Sequence, residues 1–351
     1  MRAVLPVRLC DVRVSTITET LSSNPPTQHL RPFDVSRDLD GVADLVEQCF
    51  ADTLDYDGQR YLQQMRSAAR NPSYLNWVNM VAERAAMPLS GYVWEEAGRI
   101  VGNLTLIPHH SQGKRFYLIA NVAVHPDYRR QGIGLQITQR AIQHARQRNA
   151  HAVWLHVRLE NQAALDLYGS LGFVEKARRT TWHLERGSRD RHEYPVETGL
   201  KEKNQLRLRF GPRRAGDWSL QQSWIRQAYP AEISWHLSLR TIVLQPGLSG
   251  FLFRTLNGMW ARHWSAYRGR RLLGVLSWQP SPSYADYLWL AAPVDVDEGA
   301  IAELLLHARG QLSLRRPLAL DYPAGCLESA IRQAGFLPHQ TLIWMSINLR
   351  E

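Results

Sequence analysis

Residues 121–135 read Asn121-Val-Ala-Val-His-Pro-Asp-Tyr-Arg-Arg-Gln-Gly-Ile-Gly-Leu135. The stretch reads as a β-strand that runs into a glycine-bearing turn and then a helix, with Arg129, Gly132 and Gly134 at R-x-x-G-x-G spacing. A helix that begins at such a turn directs unpaired backbone N–H groups, and the positive end of its dipole, at whatever lies before it, which suits a phosphate. Glycines let a ligand approach the backbone, and Arg129 and Arg130 add charge-assisted donors. A loop that needs positive φ, with surface arginines beside it, has the same composition, so the rest of the chain must decide between the two. No third glycine follows at the spacing of the dinucleotide fingerprint.

At 351 residues the length suits two domains. A hydrophobic fraction of 44% and a charged fraction of 21% describe a soluble globular protein, and no run is long and apolar enough to span a bilayer. Segment 1–27 reads as an irregular tail. Its apolar patch, Ala3 to Val7, is too short for a secretory signal, while Asp11 and Glu19 argue against a transit peptide. Cys10, Cys49 and Cys326 are far apart and odd in number, which predicts a reducing, cytoplasmic setting with neither a disulfide framework nor a metal site. His109-His110, the one adjacent histidine pair, reads as loop. The net charge of +10 favours anionic partners, and much of it falls between Lys176 and Arg214. Carboxylates interrupt that run and aromatic interleaving is missing, so it reads as a solvated linker more than a nucleic-acid surface.

Hydrophobic periodicity predicts a strand at His29–Phe33 and helices over 38–50 and 57–70. Strands follow at 91–94, 100–107 and 116–124, then a helix over 134–148, a strand over 151–158 and a helix over 161–171 closed by Gly172. The second half repeats this pattern weakly. Leu272-Leu-Gly-Val-Leu-Ser-Trp-Gln-Pro280 matches Ile100-Val-Gly-Asn-Leu-Thr-Leu-Ile-Pro108, and Ala334-Gly-Phe336 matches Leu171-Gly-Phe173. The expected fold class is therefore α+β (mixed α/β), a tandem duplication with its boundary near 186–204. In place of Arg129–Gly134 the second copy carries Pro293-Val-Asp-Val-Asp-Glu-Gly299, whose carboxylates would repel a phosphate, and in place of Tyr168 it carries Ile331.

Asn161-Gln-Ala-Ala-Leu-Asp-Leu-Tyr-Gly-Ser-Leu-Gly-Phe173 decides what the turn is for. Asn161 and Tyr168 are nearly two helical turns apart and share a face. Together with Arg129–Gly134, this order of strand, R-x-x-G-x-G, helix, strand and N-x-x-A-x-x-x-Y-x-x-x-G-F resembles the GNAT superfamily of acyl-CoA-dependent N-acyltransferases. The resemblance covers residues 29–185 and is closest over 121–175. It implies two tandem GNAT-like domains, each a twisted mixed sheet flanked by helices: a tail (1–27), a catalytic domain (28–185), a basic linker (186–204) and a degenerate copy (205–351).

The resemblance also implies roles. Acetyl-CoA would lie where the 121–124 and 151–158 strands splay apart. Arg129, Arg130 and the backbone amides of Gln131, Gly132, Ile133, Gly134 and Leu135 would hold its pyrophosphate. Backbone groups of Val122 and Val124 would pair with the pantetheine arm, and Asn161 would bind the pantetheine end. Tyr168 would protonate the departing thiolate. His156 stands where the ribosomal-protein alanine acetyltransferases carry a glutamate base; histidine can serve as that base, or simply line the cleft. An amine acceptor of unknown identity would meet Asp52, Asp55, Asp57, Tyr74 and Trp77, or these form only a variable loop. Neither a metal nor a membrane contact is expected. The competing reading is a non-catalytic acyl-CoA-binding or interaction module whose basic linker touches nucleic acid.

Overall fold

The first half of the chain runs β1 (Leu30–Pro32), α1 (Val35–Phe50), α2 (Tyr56–Ala69), β2 (Ser90–Glu96), β3 (Arg99–Ser111), β4 (Lys114–Val124), α3 (Ile133–Gln147), β5 (Ala152–Arg158), α4 (Gln162–Ser170) and β6 (Val174–Leu184). The second runs β7 (Leu208–Pro212), α5 (Trp218–Ala228), α6 (Ala231–Ser234), α7 (Thr241–Leu244), α8 (Gly247–Leu256), β8 (Arg262–Arg268), β9 (Arg271–Gln279), β10 (Asp286–Ala291), α9 (Glu298–Gln311), β11 (Leu318–Pro323), α10 (Glu328–Gln333) and β12 (Leu337–Asn348). The computed structural model describes residues 29–51, 54, 56–71, 90–111, 113–185, 208–234, 237, 239–281, 283–312 and 316–350. Its mixed α/β architecture is the expected fold class, and the second half repeats the strand and helix order of the first from β2 to β6 in β8 to β12.

All the strands join one twelve-stranded sheet in the order β1-β2-β3-β4-β5-β12-β6-β11-β10-β9-β8-β7. Its centre is a reciprocal strand exchange. The last strand of the second half, β12, pairs with β5 of the first; the last strand of the first half, β6, pairs with β11 of the second; β6 and β12 pair with each other between them. Every one of these pairings is antiparallel. The parallel pairs are β4 with β5 and β10 with β11, one in each half.

The exchange leaves neither core complete without the other half. Ile343 and Met345 of β12 pack with Ile137, Val153 and Tyr168 of the first half. Trp182 and Leu184 of β6 pack with Leu288, Leu318 and Phe336 of the second. Full burial of one such side chain is worth about 1.5–3 kcal/mol, so each half owes several kcal/mol to the strand it receives.

The structure corrects two sequence expectations. The basic run after Lys176 is not solvated throughout: Lys176 and Arg178 are exposed, but Arg179 lies within β6, 2% exposed, and is ion-paired with Asp321 of β11. Its guanidinium also donates to the Ala228 carbonyl at 2.7 Å and lies 4.8 Å over the Tyr229 ring. Burial pushes the Asp321 carboxyl above its usual range, against the pull of Arg179. At the far end of the run, Arg213 donates to Gln221 at 2.7 Å. The linker between, 186–204, lies outside the described residues. His109 and His110 also belong to β3 and not to a loop. Pairing of β2 with β3 ends at Leu106, so the missing N–H of Pro108 costs no ladder bond on that side.

Candidate active site

The strands β4 and β5 pair only through Phe116–Ile119 and Ala152–Leu155, and diverge beyond them. A bulge in β4 bends the strand away. Asn121 has φ 50°, and the register against β3 shifts between Asn103 and Thr105. The bulge is held from both sides. Buried Asn103 donates from Nδ2 to the Asn121 carbonyl at 2.9 Å, and Asn121 donates from Nδ2 to the Tyr61 hydroxyl of α2 at 3.2 Å. Residues 120–124 and 156–158 therefore border an opening through the sheet.

The glycine turn closes one end of that opening. Arg130 and Gly132 are both left-handed, at φ 61° and 77°, and α3 starts at Ile133. Gly132 is the N-cap, and no side chain caps the helix; its first intrahelical bond is Gln136 N–H to the Gly132 carbonyl at 3.0 Å. The amides of Ile133, Gly134 and Leu135 thus precede that first bond. A Cβ on Gly134 would meet Leu167 of α4 at 3.5 Å and Val124 at 3.8 Å, ordinary contacts that leave its other side to a ligand. Arg129 is turned back toward the strand: its Nε donates to the Val124 carbonyl at 3.1 Å, and the Cys49 thiol donates to the same oxygen at 3.3 Å.

The corresponding helix of the second half is built differently. Asp297 caps α9, accepting from Gly299 and Ala300 N–H at 2.9 and 3.3 Å. Its carboxyl is held below its usual range by Arg268, with which it is ion-paired at 2.5 Å. A protein carboxylate there occupies the position an anionic ligand would need.

Tyr168 is buried in the last turn of α4, edge-on to Phe173 with centroids 5.8 Å apart. Burial alone pushes its hydroxyl up to about 12, and no hydrogen bond engages it among the described residues. The helix N-cap is Asn161, whose side chain accepts from Ala164 N–H at 3.2 Å. Because Leu167 is the neighbour of Gly134, the turn, Asn161 and Tyr168 gather on the α3–α4 side of the sheet, beside Val122 and Val124.

His156 lies on the opposite face. Val153, Leu155 and Val157 join the core beneath α3, whereas Trp154 packs with Trp344 on the other side, and His156, two positions on, shares the face of Trp154. The imidazole is tilted 38° against the Trp344 indole at 4.0 Å. Both rings line a cavity of about 210 Å³ along the exchanged strands, with Thr181, His183, Tyr284 and Asp321. His183 and His339 stack at 4.2 Å at the same cavity. Tyr284 donates to Glu185 at 3.0 Å and packs against Tyr56 of α2 at 5.3 Å. The structure thus separates the two expected catalytic residues by the thickness of the sheet.

The expected acceptor residues Asp52, Asp55, Tyr74 and Trp77, and the Asp57 side chain, lie outside the described residues. Sequence reasoning missed Tyr61, Asn103 and Trp344. Asn121 offered a usable signal, because asparagine is among the few residues that tolerate left-handed backbone. Trp344 offered none, since nothing local ties β12 to β5.

Residues 49–173 match the Acetyltransferase (GNAT) family. Among curated proteins, the ribosomal protein bS18-alanine N-acetyltransferase of Escherichia coli is 43% identical over 63 residues, which is 18% of this chain and 43% of that one. The L-amino acid N-acyltransferase MnaT of Escherichia coli is 36% identical over 103 residues, 28% of this chain and 60% of that one. The chain thus spans less than two thirds of either relative. Among solved structures, a GCN5-related N-acetyltransferase from Sphaerobacter thermophilus superposes with TM-score 0.54 at 13% identity, covering 92% of this chain and 96% of that one, a likeness of fold across both halves. This chain carries a GNAT-family acetyltransferase domain, joined through exchanged strands to a second half with the same element order.

Proposed function

We propose that the chain is an acyl-CoA-dependent N-acyltransferase that moves an acetyl group from acetyl-CoA to a primary amine, with 28–185 as its catalytic unit and 205–351 as a degenerate partner. The observation that carries this reading is the contrast between equivalent helix starts: Gly132 leaves α3 uncapped, beside a buried Tyr168 hydroxyl, whereas Asp297 caps α9. The family's donor is acetyl-CoA. Its pyrophosphate would lie on the amides of Gln131 to Leu135, flanked by Arg129 and Arg130, with the pantetheine arm along Val122 and Val124 toward Asn161.

The acceptor would enter on the other face, from the cavity beside His156. Its nitrogen attacks the thioester carbonyl, the C–S bond breaks, and the amine's surplus proton leaves toward His156 or through water. A strand amide would polarise the carbonyl oxygen. With a hydroxyl at about 12, Tyr168 stays protonated throughout the neutral range. A thiol ionises near ~8.5, so full proton transfer from the phenol to the thiolate is uphill. Tyr168 therefore acts as a hydrogen-bond donor whose bond strengthens as charge builds on sulfur. No covalent enzyme intermediate is needed.

The relatives' named substrates, an alanine of ribosomal protein bS18 and L-amino acids, make α-amines the first acceptors to try. The test is acetyl-CoA turnover against an amine library, with products identified by mass, for the native chain and Tyr168→Phe. The substitution should slow transfer by about 10²-fold or more while acetyl-CoA affinity stays within about twofold. Binding without turnover across the library would favour a non-catalytic acyl-CoA module, and equal turnover would remove Tyr168 from the chemistry.

A further inference from the structure

Helix α8 presents its apolar side outward. Gly250 and Arg254 face the protein: Gly250 sits against the Gln245 carbonyl, and Arg254 donates to the carbonyls of Val243 and Gln245 at 2.9 Å each. The opposite arc carries Leu248, Phe251, Leu252 and Leu256, exposed by 71, 57, 47 and 82%, and Trp260 follows at 71%. At ~100° per residue those four helical positions span roughly 140° of the helix surface. A surface helix ordinarily turns such a stripe to the core. A contiguous exposed apolar patch of this kind marks an interaction site.

The surroundings say what it meets. From Ile233 to Ala285 the sequence contains no aspartate or glutamate and six arginines. Arg240, the N-cap of α7, and Arg262, two residues beyond Trp260, are exposed and bracket α8 and Trp260 in sequence; Arg262 also donates to the Gln311 carbonyl at 3.0 Å. The whole chain carries +10. A second copy of the chain is a poor occupant, because a two-fold contact would set Arg240 and Arg262 against their own copies, with no carboxylate from 233–285 to pair them. Leucine, phenylalanine and tryptophan side chains that project from a short helix, flanked by arginine, suit the boundary of an anionic bilayer.

We propose that α8 docks the protein peripherally on an anionic lipid surface, with Leu248, Phe251, Leu252 and Leu256 in the acyl boundary, Trp260 at headgroup level and Arg240 and Arg262 on the phosphates. No helix among the described residues is long and apolar enough to cross a membrane, and none is needed for this contact. The site is remote in sequence from the GNAT-family residues, so it stands independently of the acyltransferase reading.

The test is co-sedimentation of the full chain with vesicles of phosphatidylglycerol and phosphatidylcholine, against phosphatidylcholine alone. Binding is expected with the anionic vesicles, to fall as salt is raised from about 0.1 to about 0.5 M, and to drop about tenfold or more in Leu248→Ser/Phe251→Ser. Brominated lipid should quench fluorescence in the native chain more than in Trp260→Phe. Both variants alter exposed side chains, so melting temperature and acetyl-CoA affinity should match the native chain. Undiminished vesicle binding by the double variant would overturn the proposal, since the attraction would then lie elsewhere. So would failure to bind anionic vesicles, whether or not sedimentation shows a dimer that the double variant abolishes.

Discussion

The indole of Trp344, in the last strand of the chain, lies against the imidazole of His156, with centroids 4.0 Å apart. The two are directly opposed in the β5–β12 pairing. A residue from the far end of the sequence therefore sets the position of the candidate base. His156→Gln should cost about 10²-fold in kcat/KM. Trp344→Leu should lower kcat/KM as well, with Trp344→Phe restoring it, while acetyl-CoA affinity is unchanged because its proposed site is on the other face. Undiminished kcat/KM in His156→Gln assigns the base elsewhere.

The two glycines of the turn should separate cleanly. Gly132 is left-handed, so Gly132→Ala should destabilise the fold by about 1–2 kcal/mol. Gly134 has helical backbone and room for a Cβ, so Gly134→Ala should melt at the native temperature or slightly above. Acetyl-CoA affinity should nevertheless fall in Gly134→Ala, measured by calorimetry. Native affinity there would move the phosphate away from this helix start.

The Arg179–Asp321 ion pair joins β6 to β11, strands of different halves. Breaking a buried pair from one side leaves an uncompensated charge, at a cost of about 3–5 kcal/mol. Arg179→Met should lose that much in urea unfolding, and Arg179→Met/Asp321→Leu considerably less than the sum of the single changes. The unfolding should remain a single transition, because the exchanged strands complete both cores. Two separate transitions would mean that the halves fold independently of the exchange.

Acid should destabilise the protein through His263. Burial, aided by the Arg213 and Arg254 charges, pushes its imidazole down to about 3. Its Nδ1 is 2.8 Å from the Ser277 hydroxyl, which itself accepts from Gln221 at 2.9 Å, an arrangement that suits a neutral ring accepting from serine. The unfolded chain takes up this proton near ~6.5 and the folded chain does not until about 3. The stabilisation is therefore complete above ~6.5 and is lost as pH falls toward about 3, at up to about 1.4 kcal/mol per pH unit. His263→Asn should flatten that part of the stability–pH curve in thermal melts. An unchanged slope would assign the acid sensitivity to other groups.

Much of the local structure was legible because its causes are local. Gly132 and Gly172 take the left-handed backbone expected of them, at φ 77° and 87°. The acidic stretch before α9 was read as repelling phosphate, and Asp297 caps that helix. Where the reading went astray, tertiary contacts had decided. Arg179 looked like one charge in a solvated run until Asp321 arrived from 142 positions away. His109 and His110 read as loop, yet β3 runs on through them past Pro108, where β2 no longer pairs.

By itself the sequence determined the glycine turn, the helix that carries Asn161 and Tyr168, and that the second copy has neither R-x-x-G-x-G nor the tyrosine. These depend on glycine backbone freedom, capping and the helical period, each fixed within a few residues. Only the tertiary structure decided that β6 and β12 change places, that Trp344 meets His156, and that Tyr168 and His156 face opposite sides of the sheet. Backbone hydrogen bonds between strands are chemically alike wherever they form, so strand partnership follows from the packing of the whole chain and not from any one segment.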